Sequence, residues 1–147
     1  MRLLFERQRL VRTSGRIVLS TLSVISVIDD DASVRAATNN LLTSHGYIVH
    51  TFASAEEFLR STQLHDTACV IADVQMPAMS GLDLLTLMRT QSYRAPFIFI
   101  TAFPDDSVRT RALKAGAICF LGKPFAGPTL IKCLETALEA DRGGADT

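Results

Sequence analysis

Acidic residues follow two short apolar runs of this chain. Residues 23–28 are rich in valine and isoleucine and end in Asp29-Asp30-Asp31, and residues 68–72 end in Asp73. Carboxylates held close together repel one another and raise one another's pKa unless a cation neutralises them. A hard divalent cation such as Mg²⁺ binds one or two carboxylates and keeps waters that a phosphate can replace. These aspartates therefore indicate a magnesium site that could receive a phosphoryl group.

Two further polar residues follow apolar runs later in the chain. Thr101 comes after residues 97–100, and Lys123 comes shortly after residues 117–121. A lysine ammonium supplies one compact positive charge and a threonine hydroxyl supplies a hydrogen-bond donor, and both suit a phosphoryl group on Asp73. Because positioning and charge neutralisation provide most of the catalysis in phosphoryl transfer, a carboxylate nucleophile needs little else.

The apolar runs alternate with segments of helical periodicity. Strands are predicted at residues 23–28, 47–51, 68–72, 97–100 and 117–121, with helices beginning near residues 33, 54, 80, 104 and 127. This alternation predicts an α/β fold, a flavodoxin-like doubly wound five-stranded parallel sheet of order 2-1-3-4-5 with helices on both faces. Strands one and three are neighbours in that order. Since their carboxyl ends share one edge of the sheet, Asp29, Asp30 and Asp73 should meet there.

The charge of the chain is balanced overall but unevenly distributed. The 147 residues include 15 basic and 15 acidic ones, and the resulting net charge of zero argues against nucleic-acid binding. Residues 1–22 hold five arginines and one glutamate, so residues 23–147 hold ten basic and fourteen acidic residues. Asp29, Asp30, Asp31 and Asp73 together equal that acidic excess.

These features divide the chain into three parts. We expect a flexible basic N-terminal extension over residues 1–22, one domain over residues 23–140 and a polar tail over residues 141–147. An alternative for the extension is a weak amphipathic helix that contacts a membrane surface or a partner. The uncharged run of residues 17–28 has twelve residues, which is too short to span a bilayer. Three scattered cysteines form no zinc or disulfide pattern, so we expect a cytoplasmic protein with reduced thiols.

Four segments of the chain resemble a known family in both order and spacing. The segments VIDDD, IADVQMPAMSG, FIFITAF and FLGKPF are similar to those of response-regulator receiver domains from two-component systems. The resemblance covers Ser23 to about Ala140, and it is strongest to receivers of the nitrogen-fixation regulator type. It implies that Asp73 is the phosphoacceptor. Mg²⁺ would be held by Asp29, Asp30, Asp73 and the backbone carbonyl of Gln75.

The resemblance also implies how phosphorylation is sensed. Thr101 would be the switch hydroxyl, and Lys123 would pair with the phosphoryl oxygens. Phe120 matches the aromatic residue that turns inward when Thr101 moves, and the bond between Lys123 and Pro124 would be cis, a form that costs little before proline.

The implied function is signalling rather than turnover of a substrate. A sensor histidine kinase would donate its phosphoryl group to Asp73, and the domain would assist its own Mg²⁺-dependent phosphotransfer without being an enzyme. The face of the fourth helix, fifth strand and fifth helix would then pair with itself as a homodimer or with a partner. We expect either a stand-alone receiver or one separated from a DNA-binding regulator. In either case we expect no direct nucleic-acid binding by this chain.

Plainer interpretations of the same residues remain open. The acidic triplet could cap a helix, Thr101 could be an ordinary strand-end residue, and Phe120 could belong to the core. A hydrolase acting through an aspartyl phosphate would need a second acid where Gln75 stands, and three aspartates would repel the phosphate of a flavin. Gln75 and Phe103 flank the site in positions that control water in this family, and Phe103 suggests slow self-dephosphorylation.

Overall fold

Seven strands form two separate sheets in the computed structural model, which describes residues 8–13, 16–21 and 23–145, with side chains for residues 23–139. The first sheet is an antiparallel hairpin of β1 (Gln8–Thr13) and β2 (Arg16–Thr21). The second is parallel and contains β3 (Val24–Ile28), β4 (Ile48–Phe52), β5 (Cys69–Asp73), β6 (Phe97–Thr101) and β7 (Cys119–Gly122). Its order β4-β3-β5-β6-β7 confirms the predicted 2-1-3-4-5 arrangement.

Five α-helices connect or follow the strands of the parallel sheet within the described residues. They are α1 (Ala32–Ser44), α2 (Ala55–Leu59), α3 (Gly81–Thr90), α4 (Asp106–Lys114) and α5 (Gly127–Ala145). Short polar side chains cap the N-termini of four of these helices, because their oxygens accept hydrogen bonds from N–H groups that the first helical turn leaves unpaired. Ser80 and Asp83 form a reciprocal capping box at α3, and Asp105 caps α4. None of the described helices is long and apolar enough to cross a membrane.

The helices cover both faces of the parallel sheet. Successive strand residues point to opposite faces, so each apolar strand contributes to two cores. Val70, Phe97 and Phe99 pack with α2, α3 and α4, whereas Ile71 and Ile98 pack with α1 and α5. Burial on both faces explains why these strands are continuously apolar in the sequence.

The N-terminal hairpin differs from the two structures expected for residues 1–22. The segment Gln8–Thr13 is a strand that pairs with Arg16–Thr21, and it is neither an amphipathic helix nor free of regular structure. The strands contain leucine, valine and isoleucine and are separated by two residues, a spacing that favours a hairpin. Residues 1–7, 14–15 and 22 of this extension lie outside the described residues.

The last helix is also longer than expected. α5 continues to Ala145, five residues into the segment 141–147 for which we expected a polar tail. Extending an existing helix by one residue is far easier than starting one, so polar residues join a helix that a buried apolar stripe has already formed. Residues 146–147 lie outside the described residues.

Candidate functional site

Three aspartates meet at the carboxyl edge of the parallel sheet. β3 and β5 are neighbours, and their register pairs Ile28 with Ala72, so the residues that follow them leave the sheet side by side. One carboxylate oxygen each from Asp29, Asp30 and Asp73 lies within 4.8 Å of the others. Residues more than forty positions apart therefore share one acidic cluster.

Asp29 is the most deeply buried member of this cluster. Its side chain has no exposed surface, and its backbone N–H donates to the carbonyl of Phe52 over 3.1 Å. Its Oδ1 accepts a hydrogen bond from the backbone N–H of Asp31 at 2.9 Å. Burial raises the pKa of Asp29, and this effect outweighs the lowering caused by Lys123 and the Asp31 N–H. Ionisation of this carboxylate therefore carries a desolvation cost that Lys123 and the Asp31 N–H offset only in part.

Lys123 bridges the two buried carboxylates. Its Nζ lies 2.7 Å from Oδ2 of Asp29 and 3.0 Å from Oδ2 of Asp73. Burial lowers the pKa of Lys123, but contact with the two aspartates more than compensates, so the net shift is upward. The backbone N–H of Lys123 donates to the carbonyl of Thr101 at 2.7 Å, and the Lys123-Pro124 peptide bond is cis. The ammonium is therefore positioned from β7 as a fixed charge between the acids.

Asp73 is held by its own loop as well as by the lysine. Its Oδ1 accepts a hydrogen bond from the backbone N–H of Gln75 at 2.9 Å, and its side chain is 8% exposed. The first residue of α3, Gly81, packs directly over its main chain. A Cβ at Gly81 would lie 2.5 Å from the carbonyl oxygen of Asp73. The close approach of α3 thus depends on a residue without a side chain.

Thr101 and Phe103 lie beside the cluster at the end of β6. Thr101 is fully buried, and its Oγ1 accepts a hydrogen bond from the backbone N–H of Phe103 at 3.1 Å. That bond uses the hydroxyl as an acceptor and leaves its hydrogen for another partner. Phe103 itself is 70% exposed. Its ring therefore stands at the surface next to the site.

A cleft of about 310 Å³ opens above the cluster. It is large enough for a hydrated ion together with a phosphoryl group. Each of its lining residues either ends β5 or lies within three positions after β3, β5, β6 or β7. They are Asp30, Asp31, Asp73, Gln75, Ala102, Phe103 and Lys123.

Asp31 has the plainer role that the sequence left open for the acidic triplet. Its Oδ1 accepts hydrogen bonds from the backbone N–H and the hydroxyl of Ser33, at 2.9 and 2.7 Å, and it caps α1. These hydrogen bonds lower the pKa of Asp31. Although Asp31 borders the cleft, its carboxylate is engaged by the helix, so the acidic excess is shared between a binding site and a helix cap.

Phe120 lies away from the acidic cluster. It is 7% exposed and belongs to the core formed with Phe99 and Ala112 on the α4 side of the sheet. The structure therefore brings Asp29, Asp30, Asp73 and Lys123 together and places Phe120 in the neighbouring core.

The residues present fit a magnesium ion. Three carboxylates and one ammonium leave a net charge of −2, which a divalent cation would neutralise. Among the described residues, Oδ2 of Asp29 is a buried side-chain oxygen that accepts no hydrogen bond, although it forms an ion pair with Lys123. All the side-chain donors in the cluster are oxygens, the ligands preferred by hard cations.

Two residues important to the site were not predicted from the sequence. No role was predicted for Gly81, where the nearby carbonyl of Asp73 requires a residue without a side chain. Arg35 was not considered, although its Nη1 donates to the carbonyl of Asp29 at 2.6 Å. A long cationic side chain at the start of the helix after the acidic triplet was the available signal.

Comparison with known proteins agrees with this geometry. Residues 25–135 match the model of the response regulator receiver domain. Nodulation protein W of Bradyrhizobium diazoefficiens is 40% identical over 128 residues, which are 87% of this chain and 56% of that protein. Transcriptional regulatory protein FixJ of the same organism is 38% identical over 120 residues, covering 82% of this chain and 58% of the relative. The chain therefore spans less than two thirds of these relatives.

A solved structure shows the same fold. The response regulator StyR is 40% identical and superposes with a TM-score of 0.77 over 86% of this chain and 65% of that one. The similarity to FixJ also confirms the nitrogen-fixation regulator type that the sequence motifs indicated. The family match covers most of the chain and includes every strand of the parallel sheet except the first residue of β3. This chain belongs to the response regulator receiver domain family of two-component systems.

Proposed function

We propose that this chain accepts a phosphoryl group on Asp73 from a phosphohistidine of a sensor kinase and thereby switches a protein-interaction face. One observation carries the proposal: Lys123 Nζ lies 3.0 Å from Oδ2 of Asp73 at the floor of an open acidic cleft. Here a cleft on the acceptor side gives a phosphodonor access to the carboxylate. A kinase domain facing the cell interior would place this chain in the cytoplasm.

The transfer requires one bond to form and one to break. A carboxylate oxygen of Asp73 attacks phosphorus in line with the donor, the new O–P bond forms, and the N–P bond to the donor imidazole breaks. The imidazole nitrogen keeps the bonding electron pair and takes up a proton. Lys123 stays close enough to neutralise charge that develops on the phosphoryl oxygens.

We assign the magnesium ion to Asp29, Asp30, Asp73 and the backbone carbonyl of Gln75. When bound, Mg²⁺ would neutralise carboxylate repulsion and the charge of the incoming phosphoryl group. Gln75 follows Asp73 in the loop that lines the cleft, and its N–H already bonds to Oδ1 of Asp73. That bond holds the loop against the site and leaves the Gln75 carbonyl for another partner.

The readout would begin at Thr101. Its hydroxyl accepts from Phe103 and keeps its hydrogen, so a phosphoryl oxygen on Asp73 could draw it as a donor. Movement of Thr101 would carry the start of the loop to α4. Phe120 packs beside α4 with Ala112, so it would respond to that movement.

The face of α4, β7 and α5 is suited to pairing with a second copy. α4 presents exposed Arg109, Arg111 and Lys114, and α5 presents exposed Glu135 and Glu139. A twofold arrangement could place each cationic helix against the anionic helix of the other copy. We expect phosphorylation to shift the chain from monomer to dimer, measured by light scattering during size-exclusion chromatography. A protein that stays monomeric at every level of phosphorylation would contradict pairing of this face with a second copy.

The proposal is tested by labelling with acetyl phosphate in the presence of Mg²⁺. Asp73→Asn should take up no phosphoryl group, because the amide is not a nucleophile. The matched control is Asp106→Asn, which changes an exposed aspartate of α4 and should be labelled normally. Labelling that persists in Asp73→Asn would show that another residue is the acceptor.

The role of Lys123 is tested separately from the metal. Lys123→Ala should retain Mg²⁺ binding, since all three carboxylates remain, while phosphorylation or its readout is impaired. Loss of Mg²⁺ affinity in this variant would contradict the assignment of Lys123 to the phosphoryl group.

Phe103 would control the lifetime of the phosphorylated state. Its ring lines the cleft and has no group that could orient a water for attack on an aspartyl phosphate. We therefore expect slow release of phosphate from the labelled protein and faster release from Phe103→Glu, in which a carboxylate can hold the water. A wild-type half-life of seconds that is unchanged in Phe103→Glu would refute this role.

A further inference from the structure

Arg35 reaches back from the first turns of α1 to the acidic cluster. Its Nη1 donates a hydrogen bond of 2.6 Å to the backbone carbonyl of Asp29, and its side chain is partly buried. The side chain does not line the cleft, so it does not touch the space where the ion and the phosphoryl group would lie. It contacts the main chain that carries two of the three clustered carboxylates.

We propose that Arg35 is a positioning residue that holds the peptide between Asp29 and Asp30 so that both carboxylates face the cleft. The inference rests on the proposed magnesium site. The carbonyl bound by Arg35 belongs to that peptide group, and the group is planar, so fixing its oxygen also fixes the position from which Asp30 begins.

Asp30 depends on this support more than its neighbours do. Asp29 is held by Phe52 and Asp31, and Asp31 is held by the N-terminus of α1. Within the described residues no hydrogen bond holds the carboxylate of Asp30, which is exposed. Its place in the cluster is therefore set by the backbone, and Arg35 is the side chain that holds this backbone.

The location of Arg35 is unfavourable unless the contact compensates. A cation near the N-terminus of a helix is destabilised by the helix dipole, which favours negative charge there. A positive charge close to a cation site also opposes binding of the ion. The hydrogen bond to Asp29 supplies a physical reason for an arginine at this position. Loss of the charge and loss of the hydrogen bond should change metal affinity in opposite directions, which provides a test.

The test measures binding of Mn²⁺ as the probe, from the paramagnetic resonance signal of the free ion. If Arg35 contributed only its charge, Arg35→Gln would bind Mn²⁺ more tightly than the wild type. If Arg35 positions the carboxylates, Arg35→Gln should bind Mn²⁺ more weakly. We expect weakening of about tenfold, the lower end of the effect of residues that orient metal ligands. Arg35→Lys, which keeps the charge and a donor, should recover part of the affinity. Arg60→Gln removes an exposed arginine at the end of α2 and should bind like the wild type.

Folding must be monitored in the same variants without metal. Far-ultraviolet circular dichroism should show a folded Arg35→Gln, and its melting temperature without metal should change less than its affinity for Mn²⁺. Equal or tighter binding of Mn²⁺ by folded Arg35→Gln would overturn the positioning role. Such binding by Arg35→Gln would leave the proposed function standing, provided that the wild type binds Mn²⁺ and that Asp73→Asn resists labelling. If the wild type itself binds no Mn²⁺, the magnesium site fails and the inference fails with it.

Discussion

Helices α3 and α4 lie on the same face of the parallel sheet but are packed very differently. α3 buries Gly81, Leu84, Leu85 and Met88 among its ten residues, whereas α4 buries only Ala112 among nine. Phe103, in the loop before α4, is 70% exposed, and Leu113 of α4 itself is 41% exposed. α3 is therefore anchored in the core by four buried residues, whereas α4 buries one.

This difference separates two tasks within one domain. The acidic cluster is carried by the central strands β3 and β5, and α3 packs directly over Asp73. Thr101 ends β6, and Phe120 packs in the core with Ala112 of α4. Regions with few buried apolar contacts open and shift at low free-energy cost. The proposed acceptor, Asp73, therefore lies in the well-packed region, whereas the segment proposed to respond lies beside the helix with fewer buried residues.

The largest effect is expected from the core of α3. Leu84→Ala removes a fully buried side chain and should lower the free energy of unfolding by about 2–5 kcal/mol. Urea denaturation followed by circular dichroism measures this change. A loss below about 1 kcal/mol would show that α3 is not the better anchored helix.

A smaller but more local effect is expected at the contact between α3 and Asp73. Gly81→Ala places a Cβ 2.5 Å from the carbonyl oxygen of Asp73 and 2.9 Å from Phe99 Cε1. It should cost about 1–3 kcal/mol of stability and slow labelling by acetyl phosphate. Gly127→Ala is the matched control, because its Cβ would meet only the flexible end of Leu41 at 3.3 Å. Normal labelling of Gly81→Ala would separate α3 packing from the acceptor.

Substitution of Asp29 tests whether its buried charge contributes to stability or to metal binding. Asp29→Asn removes a desolvated carboxylate while Lys123 keeps Asp73 as its partner. The metal-free protein should gain about 1 kcal/mol of unfolding free energy and should lose affinity for Mg²⁺. Thermal unfolding with and without Mg²⁺ measures both. A destabilised variant would mean that the Asp29–Lys123 pair outweighs its desolvation.

Alkaline pH probes β7 from the other face of the sheet, where Cys119 packs against α5. Burial, with contact from Cys133, raises the pKa of Cys119 from 9.0 to about 12. The unfolded thiol loses its proton first, so this contribution to stability declines as pH rises from about 9 toward 12. Between about pH 8 and pH 10 the wild type should lose more unfolding free energy than Cys119→Ala. Parallel curves for the two proteins would show that the thiol is not protected by the fold.

The smallest effect is expected on α4. Leu113→Ala truncates a side chain that is 41% exposed, and it should change the free energy of unfolding by less than about 0.5 kcal/mol. The same urea titration as for Leu84→Ala measures it. A loss approaching that of Leu84→Ala would erase the contrast between the two helices.

The sequence predicted the strands because they depend on local pattern, and their order followed from the alternation of strands and helices in a doubly wound fold. Continuous apolar runs, helix caps at Ser54 and Ser80, and alternation of element type are readable without distances. The same reasoning was less successful at the termini. Residues 8–21 form a hairpin, and α5 extends to Ala145. The sequence signal for the hairpin is two short apolar runs separated by two residues, and residues 141–145 are too polar to predict a helix by themselves.

The sequence by itself determined which kinds of side chain end the strands, and therefore the chemistry available at one edge of the sheet. Residue order alone places aspartates at the ends of the first and third strands of the parallel sheet and a lysine after its fifth strand. Only the tertiary structure decided how those aspartates divide their roles. Asp29 is buried against Lys123, Asp31 caps α1, and Asp30 depends on a backbone that Arg35 holds. The reason is physical: local patterns specify elements, whereas desolvation and hydrogen bonds depend on atoms that packing brings together from distant parts of the chain.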